Sequence, residues 1–258
     1  MTAAPIFDLT GRVALVTGAS SGLGERFSHI LADAGAAVVL AARRTDLLEA
    51  TRAAIQAKGG RAIAVAMDVA DEASTIAAYD AAEAAFGTVD TIIANAGMNS
   101  EGMTTDLPVE EFDRVMAVNL RGPFLTAREG ARRLMAAGSP EKQHGRIVIT
   151  SSVTAHKVDA GLAVYSGSKA GVLQMGKVMA RDWVRKGINV NMICPGYIKT
   201  AINGAWFDTP AGERQIQKFP RRRMMEESDL DAILLFLASD ASRAVTGTHI
   251  TIDDGQSL

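Results

Sequence analysis

A tyrosine and a lysine one helical turn apart form the pattern of this sequence that is most typical of chemistry. Tyr165 and Lys169 are four residues apart in the segment AVYSGSKAG, and Ser152 stands 13 residues before Tyr165. Residues four apart share one face of a helix. A phenol, with a pKa of about 10, is a poor acid and base at neutral pH, and a fixed ammonium nearby lowers that pKa. The three residues predict an acid/base site; a solvent-exposed helix face without chemistry is the alternative.

A glycine-rich turn near the N-terminus predicts a phosphate-binding site. The segment VALVTGASSGLG is an apolar run, a turn with the spacing G-x-x-x-G-x-G, and the start of an amphipathic helix pattern. Glycines permit a tight turn and the close approach of a pyrophosphate, and the N–H groups at a helix N-terminus bind phosphate oxygens. The residues expected to contact a dinucleotide here are Gly18, Ser20, Ser21, Gly22, Leu23 and Gly24.

The end of the second apolar run indicates which dinucleotide binds. An acidic residue there would accept a hydrogen bond from the ribose 2′-hydroxyl of NAD. The run ends in Ala42, Arg43 and Arg44 without an acid, and Ala42 and Arg43 leave space for a 2′-phosphate and offer a guanidinium to bind it. Arg43 therefore favours NADP(H) over NAD(H). If the two arginines only solubilise the strand end, NAD(H) is also possible.

Composition predicts one soluble α/β domain that spans residues 1–258. Apolar residues make up 48% of the 258 residues and charged residues 22%, and the net charge is −2, which favours neither nucleic acid nor a membrane surface as partner. Neither a secretory signal nor a membrane-length apolar run is visible, so we expect a cytoplasmic protein. The single cysteine, Cys194, excludes an internal disulfide and is expected in the core. We expect no metal site.

Short apolar runs alternate with helical patterns along the chain, which is typical of β-α-β units that build a parallel sheet. Most of these runs are continuously apolar and do not alternate between polar and apolar residues, so the sheet should be covered by helices on both faces. A helix is expected over 71–86, with Asp71 as its N-cap. The seven predicted strands are 12–17, 37–41, 62–67, 91–94, 146–150, 188–193 and 249–252.

Residues 196–227 break this alternation and are interpreted as a substrate-lid insertion. An aromatic-bearing segment after the carboxyl end of a strand is where an α/β enzyme binds its substrate, although a plain irregular connection is the alternative. The residues around such a site are largely apolar, which predicts a hydrophobic substrate. His156 could orient a polar group of the substrate, and a purely structural role is the alternative. The candidate substrate residues are Met98, Thr154, His156, Val158, Leu162, Tyr197, Trp206 and Phe207.

These motifs together resemble the short-chain dehydrogenase/reductase family in its single-domain form. The resemblance covers nearly the whole chain, and it implies a doubly wound, Rossmann-type sheet, a nicotinamide cofactor and the interconversion of an alcohol and a carbonyl compound. The chain departs from common family patterns at residues 227–229 and 253–255, away from the catalytic positions. The matching elements are residues 17–24, Asp68, Asn95-Ala96-Gly97, Asn119, Ser152, Tyr165 with Lys169, and Pro195-Gly196 with Thr200.

The resemblance also implies a role for each of these residues. Tyr165 would exchange a proton with the substrate oxygen, Lys169 would lower its pKa and hold the nicotinamide ribose, and Ser152 would bind the substrate oxygen. Asn119 would fix a water that links Lys169 to solvent. The other residues implied to bind the cofactor are Asp68, Val69, Asn95, Ala96, Gly97, Pro195, Gly196, Ile198 and Thr200.

Three functions are compatible with the sequence. The first is an NADP(H)-dependent oxidoreductase that acts on a hydrophobic ketone or secondary alcohol. The second is a reductase of 3-oxoacyl thioesters, which Arg221, Arg222 and Arg223 would favour if they bound an anionic carrier. The third is a regulator that binds a cofactor without catalysis. Small and apolar residues on more than one face of the helix over 163–186 predict a homo-oligomer, a tetramer or dimer, with a monomer as the alternative.

Overall fold

The computed structural model describes residues 7–199 and 207–258, and within them the chain forms one parallel sheet. The strand order is β3-β2-β1-β4-β5-β6-β7. The order reverses between β1 and β4, which opens a crevice at the carboxyl ends of the strands. All seven predicted strands are present, with ends displaced by no more than two residues. They are β1 Val13–Thr17, β2 Ala37–Ala42, β3 Arg61–Ala66, β4 Thr91–Ala94, β5 Gly145–Thr150, β6 Ile188–Pro195 and β7 His249–Ile252.

Helices cover both faces of the sheet because the strands are apolar on both sides. In β1, Ala14 and Val16 belong to one apolar cluster, and Val13 and Leu15 belong to the other. Helices α1, α2 and α9 pack in the first cluster, and α3, α5 and α7 pack in the second. This confirms the doubly wound, Rossmann-type fold. The helices are α1 Gly22–Asp33, α2 Thr45–Ala57, α3 Glu72–Phe86, α4 Val109–Met116, α5 Gly122–Ala136, α6 Ser139–Lys142, α7 Ala163–Trp183, α8 Pro210–Lys218 and α9 Asp231–Ala238.

Two local features bear on the predicted elements. The Asp71 carboxylate accepts a hydrogen bond of 2.8 Å from the Ser74 N–H, so Asp71 is the N-cap of α3. Between α4 and α5 the chain continues through a π-helical turn, Ala117–Arg121. Such turns are often found at functional sites because the extra residue redirects a side chain. Here the turn carries Asn119, which is fully buried.

None of the helices within the described ranges is both long enough and apolar enough to cross a membrane.

Candidate active site

A cavity of about 1160 Å³ opens at the carboxyl ends of the central strands. It brings together most of the residues that the sequence singled out. Thr200 and Trp206 lie outside the described residues. The predicted residues that line the cavity are Gly18, Ser20, Ser21, Gly22, Leu23, Gly24, Arg43, Asp68, Val69, Asn95, Ala96, Gly97, Met98, Ser152, Thr154, Val158, Leu162, Tyr165, Lys169, Pro195, Gly196, Tyr197, Ile198 and Phe207.

Lys169 projects from α7 into the floor of this cavity. Its side chain is buried, and Nζ donates a hydrogen bond of 2.9 Å to the carbonyl oxygen of Thr150 at the end of β5. Nζ also lies 5.7 Å from the centre of the Tyr165 ring. Burial disfavours the ammonium form and lowers the pKa of Lys169 to about 8. The side chain can therefore lose and regain a proton near neutral pH.

Tyr165 is partly buried, one turn before Lys169 on α7. Burial raises the pKa of its phenol, and a hydrogen bond from Ser152 lowers that pKa by less, so the net shift is upward. We expected the ammonium of Lys169 to lower this pKa. In this structure the ammonium is hydrogen-bonded to Thr150 instead, and the burial of the phenol is the larger effect.

Ser152 receives two hydrogen bonds from Thr154 in the short 3₁₀ turn that follows it. The Thr154 N–H donates at 3.2 Å and its hydroxyl at 3.0 Å, both to Ser152 Oγ. A serine hydroxyl accepts two hydrogen bonds and donates one. With both acceptor positions occupied, the Ser152 O–H remains available to donate to Tyr165 or to an oxygen atom beside it.

Asn119 joins the loop after β4 to α7 beneath the cavity. Its Oδ1 accepts a hydrogen bond of 2.8 Å from the Met98 N–H, and its Nδ2 donates to Met98 O at 2.9 Å and to Ser168 Oγ at 3.1 Å. A Cβ atom placed on Gly97 would lie 3.3 Å from Lys169 Nζ and 3.5 Å from Asn119 Oδ1. Gly97 thus keeps open the narrow space between the two side chains.

The glycine-rich turn has the geometry that a dinucleotide requires. Gly18 has a φ of +70°, and a Cβ on Gly24 would lie 2.2 Å from the Gly18 carbonyl oxygen. The turn is fixed from behind, because the Thr17 hydroxyl accepts hydrogen bonds of 3.0 Å from the N–H groups of Asn95 and Ala96. The N-terminus of α1 begins at Gly22, where its free N–H groups suit a pyrophosphate. These residues therefore fit a nicotinamide dinucleotide.

Two arginines stand at the predicted adenosine end of the cavity. Arg43 and Arg44 both line it, and Arg44 Nη2 donates to Ser20 Oγ at 2.9 Å and to Ser21 Oγ at 2.8 Å. The sequence pattern pointed only to Arg43 of this pair. The structure therefore adds Arg44 as a cation in contact with the glycine-rich turn.

Several polar residues that the sequence analysis did not select also line the cavity. Asp159 lies after the 3₁₀ turn, and Gln215 and Lys218 lie on α8. Gln215 and Lys218 are far from the motifs in the sequence, and no local pattern distinguishes either them or Asp159, six residues before Tyr165, from surface residues. The remaining polar additions are Asn99, Glu101, Thr150 and Ser151.

Two residues discussed in the sequence analysis, His156 and Cys194, do not line the cavity. The His156 ring is 6.1 Å from the ring of His249, and its Nε2 is 3.4 Å from Thr251 Oγ1, so the structure does not bring His156 into the cavity. The 3₁₀ turn before it directs the residue towards β7. Cys194 is fully buried.

The basic run after α8, residues 221–223, does not line the cavity either. Arg221 and Arg223 form ion pairs with the carboxylate of Asp254, at 3.0 Å and 2.8 Å. This arrangement gives no support to a role for the run in binding an anionic carrier.

Comparison with known proteins identifies the family. Residues 12–211 match the family described as short chain dehydrogenase. The chain belongs to the short-chain dehydrogenase family. It is similar to D-threitol dehydrogenase of Mycolicibacterium smegmatis, with 33% identity over 252 residues that cover 98% of this chain and 95% of the relative.

Solved structures of family members agree. A short-chain dehydrogenase/reductase from Mycobacterium marinum has a TM-score of 0.92 and 35% identity, with 98% of both chains covered. A gluconate 5-dehydrogenase from Burkholderia cenocepacia, in complex with NADP and tartrate, has a TM-score of 0.91 and 33% identity, with 97% of this chain and 96% of that chain covered. This short-chain dehydrogenase is thus an NAD(P)-binding oxidoreductase that acts on an alcohol or ketone.

Proposed function

We propose that this protein is an NADP(H)-dependent oxidoreductase that interconverts a hydrophobic ketone and the corresponding secondary alcohol, with Tyr165 as the acid and base. One observation carries the proposal: Tyr165, the Ser152–Thr154 hydrogen-bond pair, Lys169 and the glycine-rich turn all border one cavity. The cofactor, when bound along Gly18–Gly24 and Asn95–Gly97, supplies or accepts the hydride. Side chains of the cavity bind the substrate oxygen and transfer the proton.

In reduction, the Tyr165 hydroxyl protonates the carbonyl oxygen of the substrate as the hydride reaches its carbon. Ser152 donates its O–H to the same oxygen and stabilises the negative charge that develops there. Its orientation depends on Thr154, which occupies both acceptor positions of the Ser152 hydroxyl. In oxidation the same groups act in reverse, and Tyr165 takes the proton.

Lys169 is proposed to restore the proton of Tyr165. Its pKa of about 8 suits a group that passes protons near neutral pH. Asn119 is proposed to connect this relay to solvent through water beside Gly97, because the Asn119 amide and the Lys169 ammonium both border the space next to that glycine. Lys169 and the Tyr165 hydroxyl also have the donor chemistry that binds ribose hydroxyls.

The preference for NADP(H) is supported by charge at the adenosine end. Arg43 and Arg44 offer guanidinium groups there, and a 2′-phosphate is bound well by such groups. The hydrophobic nature of the substrate is supported by Met98, Leu162 and Phe207 in the cavity wall. We also propose that residues 196–227 act as the substrate lid of a single catalytic domain.

The experiment is a spectroscopic assay of NADPH and NADH oxidation with a panel of ketones and acyl thioesters. We expect turnover of ketones with NADPH preferred, and loss of turnover in Tyr165→Phe with cofactor binding retained. Tyr79→Phe is the matched control, because Tyr79 is in the core beneath α5 and donates to Thr126 O at 2.8 Å. Full activity of Tyr165→Phe would refute the acid/base role, and turnover of thioesters alone would replace the proposed substrate class.

We propose in addition that the protein is a cytoplasmic homo-oligomer, a tetramer or dimer. Apolar side chains stand exposed along α4, α5 and α7, namely Phe112 at 46%, Phe124 at 38% and Val178 at 50% exposure. A patch of this kind is typical of a surface that pairs with a second copy. Sedimentation analysis of the wild type and of Phe124→Glu tests it, and a monomeric wild type would refute it.

A further inference from the structure

Tyr197 is held rigidly in the wall of the cavity. Its ring stacks on Phe219 with 5.4 Å between ring centres, and Phe207 meets it edge-on at 5.7 Å. Its N–H donates a hydrogen bond of 2.6 Å to Gln256 Oε1 near the C-terminus. The orientation of the phenol is therefore fixed by its own surroundings before any ligand binds.

The phenol of Tyr197 is paired with a carboxylate from the loop before α7. Its hydroxyl donates to Asp159 Oδ2 at 2.8 Å, and Lys157 Nζ lies 3.2 Å from Asp159 Oδ1 and 5.2 Å from the centre of the Tyr197 ring. Asp159 is thereby held in place by a hydrogen bond on one oxygen and an ion pair on the other. Its side chain is nevertheless 20% exposed.

This pair lies close to the reacting groups. Tyr197 and Asp159 line the same cavity as Ser152 and Tyr165. The pKa of Tyr197 is raised by burial first and by the Asp159 carboxylate second, and the charges of Tyr165 and Glu101 raise it further. Tyr197 is therefore within electrostatic range of the phenol that is proposed to exchange the substrate proton.

We propose that Tyr197 and Asp159 form a subsite that binds a hydroxyl group of the substrate, next to the carbon that is oxidised or reduced. The inference rests on the proposed function and narrows its substrate class to a ketone or alcohol with an apolar body and a second hydroxyl group. The hydroxyl donates to Asp159 and accepts no proton in the reaction.

The chemistry of the pair favours a neutral donor. A carboxylate oxygen has two lone-pair positions, and among the described residues each Asp159 oxygen has one partner, Tyr197 or Lys157. A hydrocarbon group placed there would remove water from the carboxylate without replacing its hydrogen bonds, which is unfavourable. A carboxylate substrate would bring a second anion beside Asp159, whose charge is already paired with that of Lys157. A hydroxyl group satisfies the free position at no cost in charge.

The test compares pairs of ketones that differ by one hydroxyl group, such as butanone with acetoin and cyclohexanone with its α-hydroxy derivative. In the wild type we expect kcat/KM for the hydroxylated member to exceed that of its partner by about ten-fold, as a hydrogen bond to a charged group allows. In Asp159→Asn and in Tyr197→Phe we expect this ratio to fall towards one. Tyr79→Phe is the control and should keep the wild-type ratio.

The ratio separates recognition from a structural role. If Tyr197→Phe lowers kcat/KM for both members equally and the ratio stays high, the pair only supports the cavity wall and the inference is overturned. A wild-type ratio of one, with both ketones turned over, overturns it as well and leaves the proposed function intact. Absence of turnover with every ketone overturns both. Thermal unfolding of each variant, measured beside the assay, confirms that a changed ratio comes from folded protein.

Discussion

The burial of Lys169 makes a prediction about stability that needs no substrate. The ammonium is almost fully enclosed, and its hydrogen bond goes to a neutral carbonyl, Thr150 O. Replacement by methionine in Lys169→Met keeps a chain of similar volume and removes the charge. The buried charge lowers the free energy of unfolding of the wild type by an amount that depends on pH. We expect the variant to lack this cost.

The size of this effect follows from the pKa. Burial lowers the pKa of Lys169 from an ordinary value of 10.5 to about 8. Each unit of pKa difference between the folded and the unfolded state corresponds to about 1.4 kcal/mol. The charge therefore costs the folded state on the order of 3 kcal/mol. Below pH 8 the lysine is charged in both states and the cost is fully present. Between pH 8 and 10.5 unfolding takes up a proton, so stability rises with pH and the cost disappears.

Urea unfolding followed by tryptophan fluorescence measures the effect. The difference in free energy of unfolding between wild type and Lys169→Met should change by about 3 kcal/mol in favour of the wild type from pH 7 to pH 10.5. The lost hydrogen bond to Thr150 adds an offset that is the same at both pH values. Only the slope with pH therefore tests the reasoning.

Lys186→Met is the matched control, since Lys186 is exposed in the 3₁₀ turn after α7. Its difference from the wild type should not vary in this way. A flat difference for Lys169→Met as well would mean that the lysine carries no burial cost, and the proposed proton relay would lose its basis.

Three further predictions concern single contacts. Gly24→Ala should abolish binding of NADP(H) in a titration followed by cofactor fluorescence, because its Cβ would lie 2.2 Å from the Gly18 carbonyl oxygen; normal affinity would contradict the fit of the turn. Thr154→Val should lower kcat several-fold and leave cofactor affinity unchanged, because Ser152 loses the hydroxyl that orients it; an unchanged kcat would exclude that role. Arg146→Met should lower the free energy of unfolding by about 1–3 kcal/mol, because its buried guanidinium donates to Ser239 O, whereas a stability equal to the wild type would show that this contact is energetically neutral.

The strands and the helix face of the site were predictable from local sequence because their signals are local. Apolar runs without alternation indicated strands covered on both faces, and the Asp71 cap marked where α3 begins. The four-residue spacing of Tyr165 and Lys169 fixed their common face on α7. Such patterns need only the periodicity of the backbone.

Contacts between distant segments were not predictable in the same way. The partner of Lys169 is a backbone carbonyl on β5, and nothing in the sequence of α7 identifies it. The pairing of Tyr197 with Asp159 crosses 38 residues and depends on how two loops meet. Arg43 and Arg44 are adjacent at the end of a strand. The local direction of the backbone therefore decides which of the two guanidinium groups reaches the glycine-rich turn. In each case tertiary packing supplies information that local spacing does not contain.

The π-helical turn that carries Asn119 limits how this region can change in length. Its five residues, Ala117–Arg121, form one wide turn, and deletion of one of them would restore ordinary helical winding. A π-helical turn holds one residue more than an α-helical turn, so α5 would keep its orientation relative to α4, but the side chains within the turn, Asn119 among them, would change direction. An inserted residue would have no second wide turn to accommodate it and would rotate the apolar face of α5 by about 100°. Insertions and deletions should therefore be excluded between α4 and α5, although this segment is exposed at one side and resembles a tolerant connection.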